Sequence, residues 1–207
     1  MSNGTELKGQ AQRGARTRQA IVDAALDVFA VRGFRASALA EIADKVGLTP
    51  AGILYHFGSK EALLVAVITE RDRRAGDLIT GLTGLDGEGG LDSLYELVRI
   101  AELCEREPGL AALHTVLQAE SFDPEAPAHE YFHGRSRFVR EALEIFLVDC
   151  QKRGDVAPSV DCAARAAEMI AFQEGAAVLW LMDRTVSLVD LYRNYITTFI
   201  STLTPDP

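Results

Sequence analysis

Two histidines and a glutamate at positions 129 to 133 have the most obvious chemical potential in this sequence. His129, Glu130 and His133 form a His-Glu-x-x-His pattern, and on a helix both imidazoles would lie on one face. Such a pair can bind zinc while the glutamate acts as a general base in hydrolysis. A zinc hydrolase also needs a third protein ligand, but Ser136 and Val139 occupy the positions where a continuation of the pattern would place one. We therefore interpret the segment as an ordinary helix start and keep a zinc hydrolase only as an alternative.

The other patterns that usually accompany catalysis are absent from the sequence. It contains no Ser-His-Asp elbow, no glycine-rich phosphate loop and no paired catalytic carboxylates. The three cysteines, Cys104, Cys150 and Cys162, form no CxxC pair, so we predict reduced thiols. These observations predict a protein that is not an enzyme and that uses no metal or cofactor.

The charged residues divide the chain into a basic and an acidic part. Residues 1–60 contain eight Lys and Arg against five Asp and Glu, a net charge of +3. Residues 61–207 contain 13 against 25, a net charge of −12, so the whole chain carries −9. Because salt screens charges beyond about 8 Å, phosphate binding depends on the local charge of one face. A basic end on an acidic chain favours a protein that contacts DNA at that end only.

The hydropathy pattern predicts neither a membrane span nor a signal peptide. No run of about 18 uncharged apolar residues occurs. The polar segment from Met1 to Gln10 lacks the apolar stretch of a secretion signal. We therefore expect a cytoplasmic protein without membrane contact.

Helical periodicity dominates the sequence, and β-strand patterns are nearly absent. We predict an all-α fold of about nine helices, with an N-terminal three-helix head that a long helix joins to a helical ligand-binding and dimerisation body. The head covers residues 15–75 after a flexible basic arm at 1–14, and the body covers residues 76–207. Thr17 is the predicted N-cap of the first helix, and Gly33 is its predicted stop.

The remaining boundaries follow from caps and helix breakers. Ser59 is the predicted cap of the long helix, and the glycine-rich stretch 81–90 is predicted to be a flexible joint. Further helices are predicted at about 91–107, 109–121, 127–153, 160–183 and 187–203. The predicted breaks between them are Pro108, Pro124–Pro127, Gly154–Pro158 and Asp183–Thr185.

Segment 37–57 has the spacing of two short helices joined by a tight turn. Ala43 is small where the two helices approach, and Gly47, four residues later, suits a left-handed turn position. Thr49 is a good N-cap, and Pro50 at the first helical position costs no hydrogen bond. The second helix thus presents the positive end of its dipole outward, as a recognition helix does in the major groove. The apolar residues that would fix the angle between the helices are Ile42, Val46, Leu48 and Ile53.

This segment and its flanks resemble the DNA-binding domain of the TetR (tetracycline repressor) family of transcriptional regulators. The resemblance extends from Thr17 to about Arg71, roughly a quarter of the chain, and the rest matches only in outline. The residues that carry it are Ile21–Phe29, Gly33-Phe34, Ile42-Ala43, Val46-Gly47-Leu48, Tyr55-His56-Phe57 and Ser59-Lys60-Glu61-Ala62-Leu63. The resemblance implies binding to operator DNA, a homodimer and a dimer bundle made by the last two helices.

Carried over by position, the resemblance implies two sets of DNA contacts. The residues expected to bind phosphates and the backbone are Ser37, Thr49, Tyr55, His56 and Lys60. The residues expected to face the bases are Pro50, Ala51, Gly52 and Leu54. The family often has Thr in place of Gly52 and Tyr in place of Leu54, so few side chains here can hydrogen-bond bases. We expect operator preference to depend on thymine methyl groups and on DNA shape. Contact by the basic residues Lys8, Arg13, Arg16 and Arg18 stays open.

The last two predicted helices are apolar on more than one face, which favours an interface between two copies. The expected interface residues are Ala163, Ala167, Ile170, Ala171, Val178, Leu191, Tyr195 and Phe199. Polar and aromatic residues among apolar ones predict a small-molecule pocket within the body. Its expected lining is Cys104, His114, Gln118, Phe122, Tyr131, Phe138, Phe172, Gln173 and Trp180.

These patterns together predict a dimeric repressor that a small molecule releases from double-stranded operator DNA. Because the body has no basic cluster in its sequence, we expect an apolar or weakly polar effector rather than a highly anionic one. An activator and a constitutive DNA binder remain as alternatives.

Overall fold

The computed structural model describes the backbone of residues 3–83 and 90–204 and the side chains of residues 12–74 and 90–204. Within these ranges the chain forms nine α-helices and one 3-10 helix, and no strand. The helices are α1 (Asn3–Ala36), α2 (Leu39–Val46), α3 (Pro50–Phe57), α4 (Lys60–Thr83), the 3-10 helix (Gly90–Leu97), α5 (Val98–Arg106), α6 (Pro108–Glu120), α7 (His129–Arg153), α8 (Cys162–Met182) and α9 (Leu188–Ser201). The predicted all-α fold is confirmed.

No single helix in the described ranges is long and apolar enough to cross a membrane. One pair, α3 with residues 60–74 of α4, meets that criterion of length and composition only jointly and is bent by 68°.

The first of two hydrophobic cores lies in the head and extends into the body. Phe29 of α1, Ile42 of α2, Ile53 of α3 and Leu63 of α4 are fully buried in it. Helix α6 adds Leu110, Leu113 and Leu117 to the same core. Leu103 of α5 and Phe132 of α7 belong to it too, so the head does not pack alone, because helices of the body complete its core.

The second core lies within the body. Most of its buried residues come from the 3-10 helix and from α5 to α9, and Leu94, Leu143, Leu147 and Met169 are almost fully buried in it. Trp180, Tyr192 and Phe199 also lie in it. This core positions the inner faces of α5, α7, α8 and α9 around the space described below.

Helix α1 begins earlier than the sequence indicates. Its backbone is helical from Asn3, so residues 3–14 of the segment predicted as a flexible arm belong to this helix. The Thr17 hydroxyl donates to the carbonyl oxygen of Arg13 at 3.1 Å, one turn back in the same helix, and is not an N-cap. Good helix formers such as Glu6, Leu7 and Lys8 precede Thr17 without an intervening proline, which explains the extension.

Gly33 breaks α1 three residues before its end. Its backbone has φ 76° and ψ 173°, a conformation that residues with a Cβ rarely adopt. A Cβ there would also lie 2.8 Å from Cδ of Glu120, at the end of α6. The predicted stop at Gly33 is thus present as a kink, and the absent side chain lets α6 approach α1 closely.

The predicted joint at 81–90 is only partly within the described residues. The backbone is helical to Thr83 and resumes as the 3-10 helix at Gly90, and residues 84–89 lie outside the described part of the chain.

Candidate DNA interface and ligand cavity

The turn between α2 and α3 has the geometry that the sequence predicts. Gly47 lies in the left-handed region, with φ 67° and ψ 33°. The amide of Leu48 donates to the carbonyl oxygen of Ala43 at 3.0 Å, which closes the end of α2. Ile42, Ala43 and Ile53 are buried behind the turn. These contacts hold α3 at a fixed angle to α2.

The outward end of α3 is capped and accessible. The Thr49 side chain accepts a hydrogen bond from the amide of Gly52 at 3.1 Å, and Pro50 begins the helix. Pro50, Ala51 and Tyr55 are exposed, and the exposed fraction of Tyr55 reaches 87%. Leu54 is 39% exposed, while Gly52 and His56 are partly buried. This face combines free helix N-terminal amides with short side chains, so it can approach a groove closely.

Two residues expected at the phosphates have other partners inside the head. Ser37 is buried, and its hydroxyl donates to the carbonyl oxygen of Phe34 at 2.8 Å. The Lys60 ammonium donates to the carbonyl oxygens of Phe34 at 2.5 Å and of Ser37 at 2.6 Å. Burial lowers the pKa of Lys60. The sequence-based assignment of Ser37 as a phosphate donor needs correction, because its hydroxyl already binds a carbonyl oxygen near the end of α1. Two of the three N–H groups of Lys60 are engaged in the same region, and its contact with a phosphate stays a prediction.

Arg18 also differs from a free basic arm residue. Its guanidinium donates to the carbonyl oxygen of His56 at 2.7 Å and lies 4.0 Å from the centroid of the Phe57 ring. A cation at the C-terminal carbonyls of a helix stabilises that helix. Arg18 therefore connects α1 to the end of α3.

A cavity of about 120 Å³ lies among α4 to α9. Four of the predicted pocket residues line it: Cys104, His114, Gln118 and Gln173. The other lining residues were not predicted, and they are Arg71, Ile100, Leu103, Leu110, Ala111, Phe132, Arg135, Ser136, Val139, Ile170, Glu174, Ala177 and Tyr192. The wall is thus mainly apolar, with a few polar groups.

The other five predicted pocket residues lie elsewhere. Phe122 and Phe138 are exposed, at 77% and 50%, because they lie on the outer side of their segments. Phe172 stacks on Tyr195 with ring centroids 3.7 Å apart, and Trp180 is buried beside a separate cleft with Arg184 over its ring. Tyr131 lies behind the wall and donates to Asp72 Oδ2 at 2.5 Å. Their placement in the cavity is therefore wrong.

Several polar atoms of the cavity wall are buried without a partner. They are Nε of Arg71, Nδ1 of His114 and Nε2 of Gln173. His114 Nε2 lies 3.4 Å from Oε1 of Glu174, and burial lowers the pKa of the imidazole. Burial also raises the pKa of the Cys104 thiol to about 11.

The His-Glu-x-x-His segment forms the first turns of α7. His129 Nδ1 lies 2.9 Å from the carbonyl oxygen of Ser121, and its ring stacks on that of His133 with centroids 5.7 Å apart. Glu130 and His133 are exposed. Across the described side chains, no three His, Cys, Asp or Glu residues are placed to hold one metal ion.

The predicted interface residues divide between two faces. Ala167, Ala171 and Val178 are exposed along one side of α8, together with Gly175, Leu179 and Met182. Ala163, Leu191 and Tyr195 are partly buried. Ile170 faces the cavity and Phe199 is buried in the second core, so neither lies on an outer surface. The sequence could not separate the inner and outer apolar sides of these helices.

Sequence and structure comparisons identify the family. Residues 21–67 match the family described as "Bacterial regulatory proteins, tetR family". The HTH-type transcriptional regulator UidR of Escherichia coli K12 is 27% identical over 148 residues, which cover 71% of this chain and 72% of UidR. RutR of the same organism is 43% identical over 53 residues, 26% of this chain and 25% of RutR.

The solved structures of such regulators share the whole architecture. A TetR transcriptional regulator from Chloroflexus aurantiacus has a TM-score of 0.76 and 25% identity, with 93% of this chain and 98% of that chain covered. NalD of Pseudomonas aeruginosa, a secondary repressor of a multidrug efflux pump, has a TM-score of 0.73 and 21% identity, with 94% and 100% covered. The head of the chain, over residues 21–67, is thus that of the TetR family of helix-turn-helix transcriptional regulators, and the fold of the whole chain is that of the solved regulators.

An ion-pair network connects α4 to α1 between the head and the cavity. The buried Glu70 carboxylate accepts hydrogen bonds from Arg73 and Arg74, each at 2.8 Å. Arg74 also contacts Oδ1 of Asp23 on α1 at 2.5 Å. The hydrogen bonds from Arg73, with those from Arg74, lower the pKa of Glu70 to about 2.

This network predicts a pH-dependent contribution to stability. The folded-state pKa of Glu70 lies below the ordinary value of 4.5 for a glutamate, so the stabilisation is present above that value and is lost as the pH falls towards 2. We expect Glu70→Gln to lower the free energy of unfolding at pH 7 by about 1 to 2 kcal/mol, since the exposed Arg73 is partly screened by water. Urea unfolding at several pH values measures the difference, which should shrink below pH 4.5, and Glu130→Gln, an exposed carboxylate on α7, is the control. A difference that stays constant down to pH 3 would contradict this role.

Proposed function

We propose that this regulator is a homodimeric repressor and that a small molecule in the body cavity releases it from its operator. One observation carries the proposal: the two helices that supply Arg71, His114 and Gln118 to the cavity wall also contact the head. A ligand in this cavity touches α4 and α6 directly. Both helices therefore change position relative to α1 if the ligand favours a different arrangement. We assign DNA binding to residues 15–75 and ligand binding and dimerisation to residues 76–207.

The end of α6 provides the most direct connection. Both carboxylate oxygens of Glu120 accept backbone hydrogen bonds from α1, one from the amide of Phe34 at 2.6 Å and one from that of Arg35 at 3.1 Å. Arg35 also donates to the carbonyl oxygen of Glu120 at 3.3 Å. A shift of α6 in response to a ligand is thus passed to the part of α1 that precedes the helix-turn-helix.

Release requires only a small preference of the ligand for the DNA-incompetent arrangement. Two recognition helices on one face of DNA must lie about 34–36 Å apart, or a multiple of that. A preference of about 1–3 kcal/mol changes operator affinity about 5- to 150-fold. We infer that the protein acts in the cytoplasm, where bacterial operator DNA lies.

The proposed dimer uses the exposed apolar face of α8. Arg in place of Ala167 would bury an unpaired charge in both copies of the interface, at a cost of several kcal/mol. We expect Ala167→Arg to be monomeric at micromolar concentration in sedimentation experiments while its helix content is unchanged. Ala62→Arg, an exposed alanine of α4, should remain dimeric. A dimeric Ala167→Arg variant would place the interface elsewhere.

The proposed DNA contacts predict two kinds of variant, one that changes the affinity for all DNA and one that changes the preferred sequence. Tyr55→Phe removes an exposed hydroxyl and should weaken binding to all sequences about three- to tenfold, as expected for one lost phosphate hydrogen bond. Gly52→Thr should change the preferred sequence, because its added Cβ meets only ordinary contacts with Thr49 and Leu48, at 3.5 and 3.7 Å.

Selection of bound DNA from random sequences, followed by titration of the selected and unrelated duplexes, measures both effects. The control Tyr95→Phe removes a hydroxyl in the body and should change neither the affinity for DNA nor the preferred sequence. If Gly52→Thr selects the same sequences as the wild type, α3 does not face the bases as we propose.

The connection between cavity and head predicts a variant that binds both effector and operator DNA, but in which binding of one no longer changes the affinity for the other. In the wild type, operator DNA should weaken the binding of an effector by the factor by which that effector weakens operator binding. Glu120→Gln keeps one acceptor but places an amide N–H group against a backbone donor, so it weakens the connection between α6 and α1. We expect its coupling factor to fall close to one while effector affinity without DNA changes less than about threefold.

Calorimetric titration of an effector found by thermal-shift screening, with and without operator, measures both quantities. Glu125→Gln, on the exposed loop after α6, is the matched control and should keep full coupling. Equal effector affinity with and without operator in the wild type would exclude the released repressor and leave a constitutive DNA binder. Tighter operator binding with effector would indicate a ligand-dependent activator or corepressed repressor.

A further inference from the structure

A charged group beside the cavity with a buried, unpaired donor is the guanidinium of Arg71 on α4. Its side chain is only 11% exposed. One terminal nitrogen donates to Oδ1 of Asp72 at 3.0 Å, but Nε, which lies in the cavity wall, has no hydrogen-bond partner. A buried N–H group of a cation without an acceptor is costly, and such groups in native proteins usually have an explanation in a ligand or a water.

A second guanidinium makes water an incomplete explanation. Arg135 of α7 lines the same cavity, and its positive charge repels that of Arg71. The carboxylates nearby already have partners, since Asp72 also accepts from Tyr131 and Glu174 lies beside His114. Asp72 balances the charge of Arg71, but Arg135 has no ion-pair partner among the described side chains. Water can accept a hydrogen bond from either guanidinium, but it supplies no negative charge for Arg135 in a mostly apolar space.

The opposite wall adds a further donor. Nε2 of Gln173 on α8 is buried and without a partner, and it lines the same cavity. An amide N–H₂ and a guanidinium Nε–H both need acceptors, and a carboxylate offers two oxygens with about four acceptor sites. Around this polar end the wall is apolar, formed by Ile100, Leu103, Leu110, Phe132, Val139 and Ile170.

We propose that the cavity binds a small monocarboxylate whose charged group contacts Arg71 and Gln173 near Arg135, with an apolar body against the aliphatic wall. One negative charge matches the cavity wall, because Asp72 pairs with Arg71 and Glu174 lies beside His114, which leaves Arg135 without an ion-pair partner among the described side chains. This inference rests on the proposed function, in which the cavity is the effector site. It replaces the apolar or weakly polar effector expected from the sequence, where Arg71 and Arg135 lie far apart along the chain.

Pairs of ligands that differ only in charge test the proposal. The probes are aliphatic and aromatic monocarboxylates of about four to ten carbons, among them hexanoate and phenylacetate, each compared with its primary amide. We expect carboxylates to raise the Tm of the wild-type protein by a few °C and the matching amides to have little effect. Calorimetry on the best pair then gives both Kd values, which should differ at least about tenfold.

Two variants and one control test which residues bind the carboxylate. Arg71→Gln and Arg135→Gln should each weaken binding of the best carboxylate at least about tenfold and leave the weak binding of its amide unchanged. The control is Arg137→Gln. Arg137 is exposed on α7, two residues after Arg135, and its variant should bind the carboxylate like the wild type. Arg135→Gln keeps the test valid if Arg71→Gln does not fold, and circular dichroism without ligand checks both.

Three outcomes overturn the anion site: amides that bind as tightly as their acids, unchanged carboxylate affinity in a folded arginine variant, or no carboxylate that raises the Tm. Operator titration is measured separately. A neutral compound that releases the operator independently of Arg71 would reject the anion site and keep the proposed function. A carboxylate that binds through Arg71 without changing operator affinity would keep the site and reject the released repressor.

Discussion

The carboxylate of Glu120 holds head and body together at the point where α1 is interrupted. The left-handed conformation of Gly33 removes the amides of Phe34 and Arg35 from the hydrogen-bond pattern of α1, and unpaired amides beside a core are costly. The last residue of α6 satisfies both. Since α6 also completes the core of the head and lines the cavity, its position is set by three requirements at once.

The same interruption explains the behaviour of Lys60. Just after the kink α1 ends, which leaves carbonyl oxygens there without helical partners, and the Lys60 ammonium binds those of Phe34 and Ser37. An acid at the end of α6 and a base at the start of α4 thus close the two sides of one backbone break. Their placement fixes where α4 and α6 leave the head, and those helices in turn determine the shape of the cavity.

Local features of the fold could be predicted from the sequence, because their causes are local. The cap at Thr49, the left-handed turn at Gly47 and the start of α4 after Ser59 each depend on a few neighbouring residues, and all are present. The beginning of α1 was harder to place, since Thr17 resembles a cap but lies inside a longer helix. The family resemblance correctly indicated the architecture of the body, which periodicity alone describes only as a set of amphipathic helices.

The lining of the cavity could be predicted only in part, because it depends on which side of each helix faces inward. Phe122 and Phe138 were predicted to line the cavity because they are aromatic, yet they lie on the outside. Arg71, Arg135 and Glu174 do line it, although their sequence contexts are typical of solvated helix faces. Only the packing of α4, α7 and α8 brings these three together. The same ambiguity placed Ile170 and Phe199 at a surface, although both point inward.

The thiol of Cys104 sets the chemical character of this cavity. With a pKa of about 11, only about one molecule in ten thousand carries the thiolate at pH 7, and the thiolate is the form that reacts with electrophiles and oxidants. In the proposed effector site, this thiol is therefore not expected to form covalent bonds with bound compounds. Occupancy follows the momentary concentration of free ligand, and the response reverses when that concentration falls. A regulator with such a site responds to the current concentration of its ligand and not to earlier exposure.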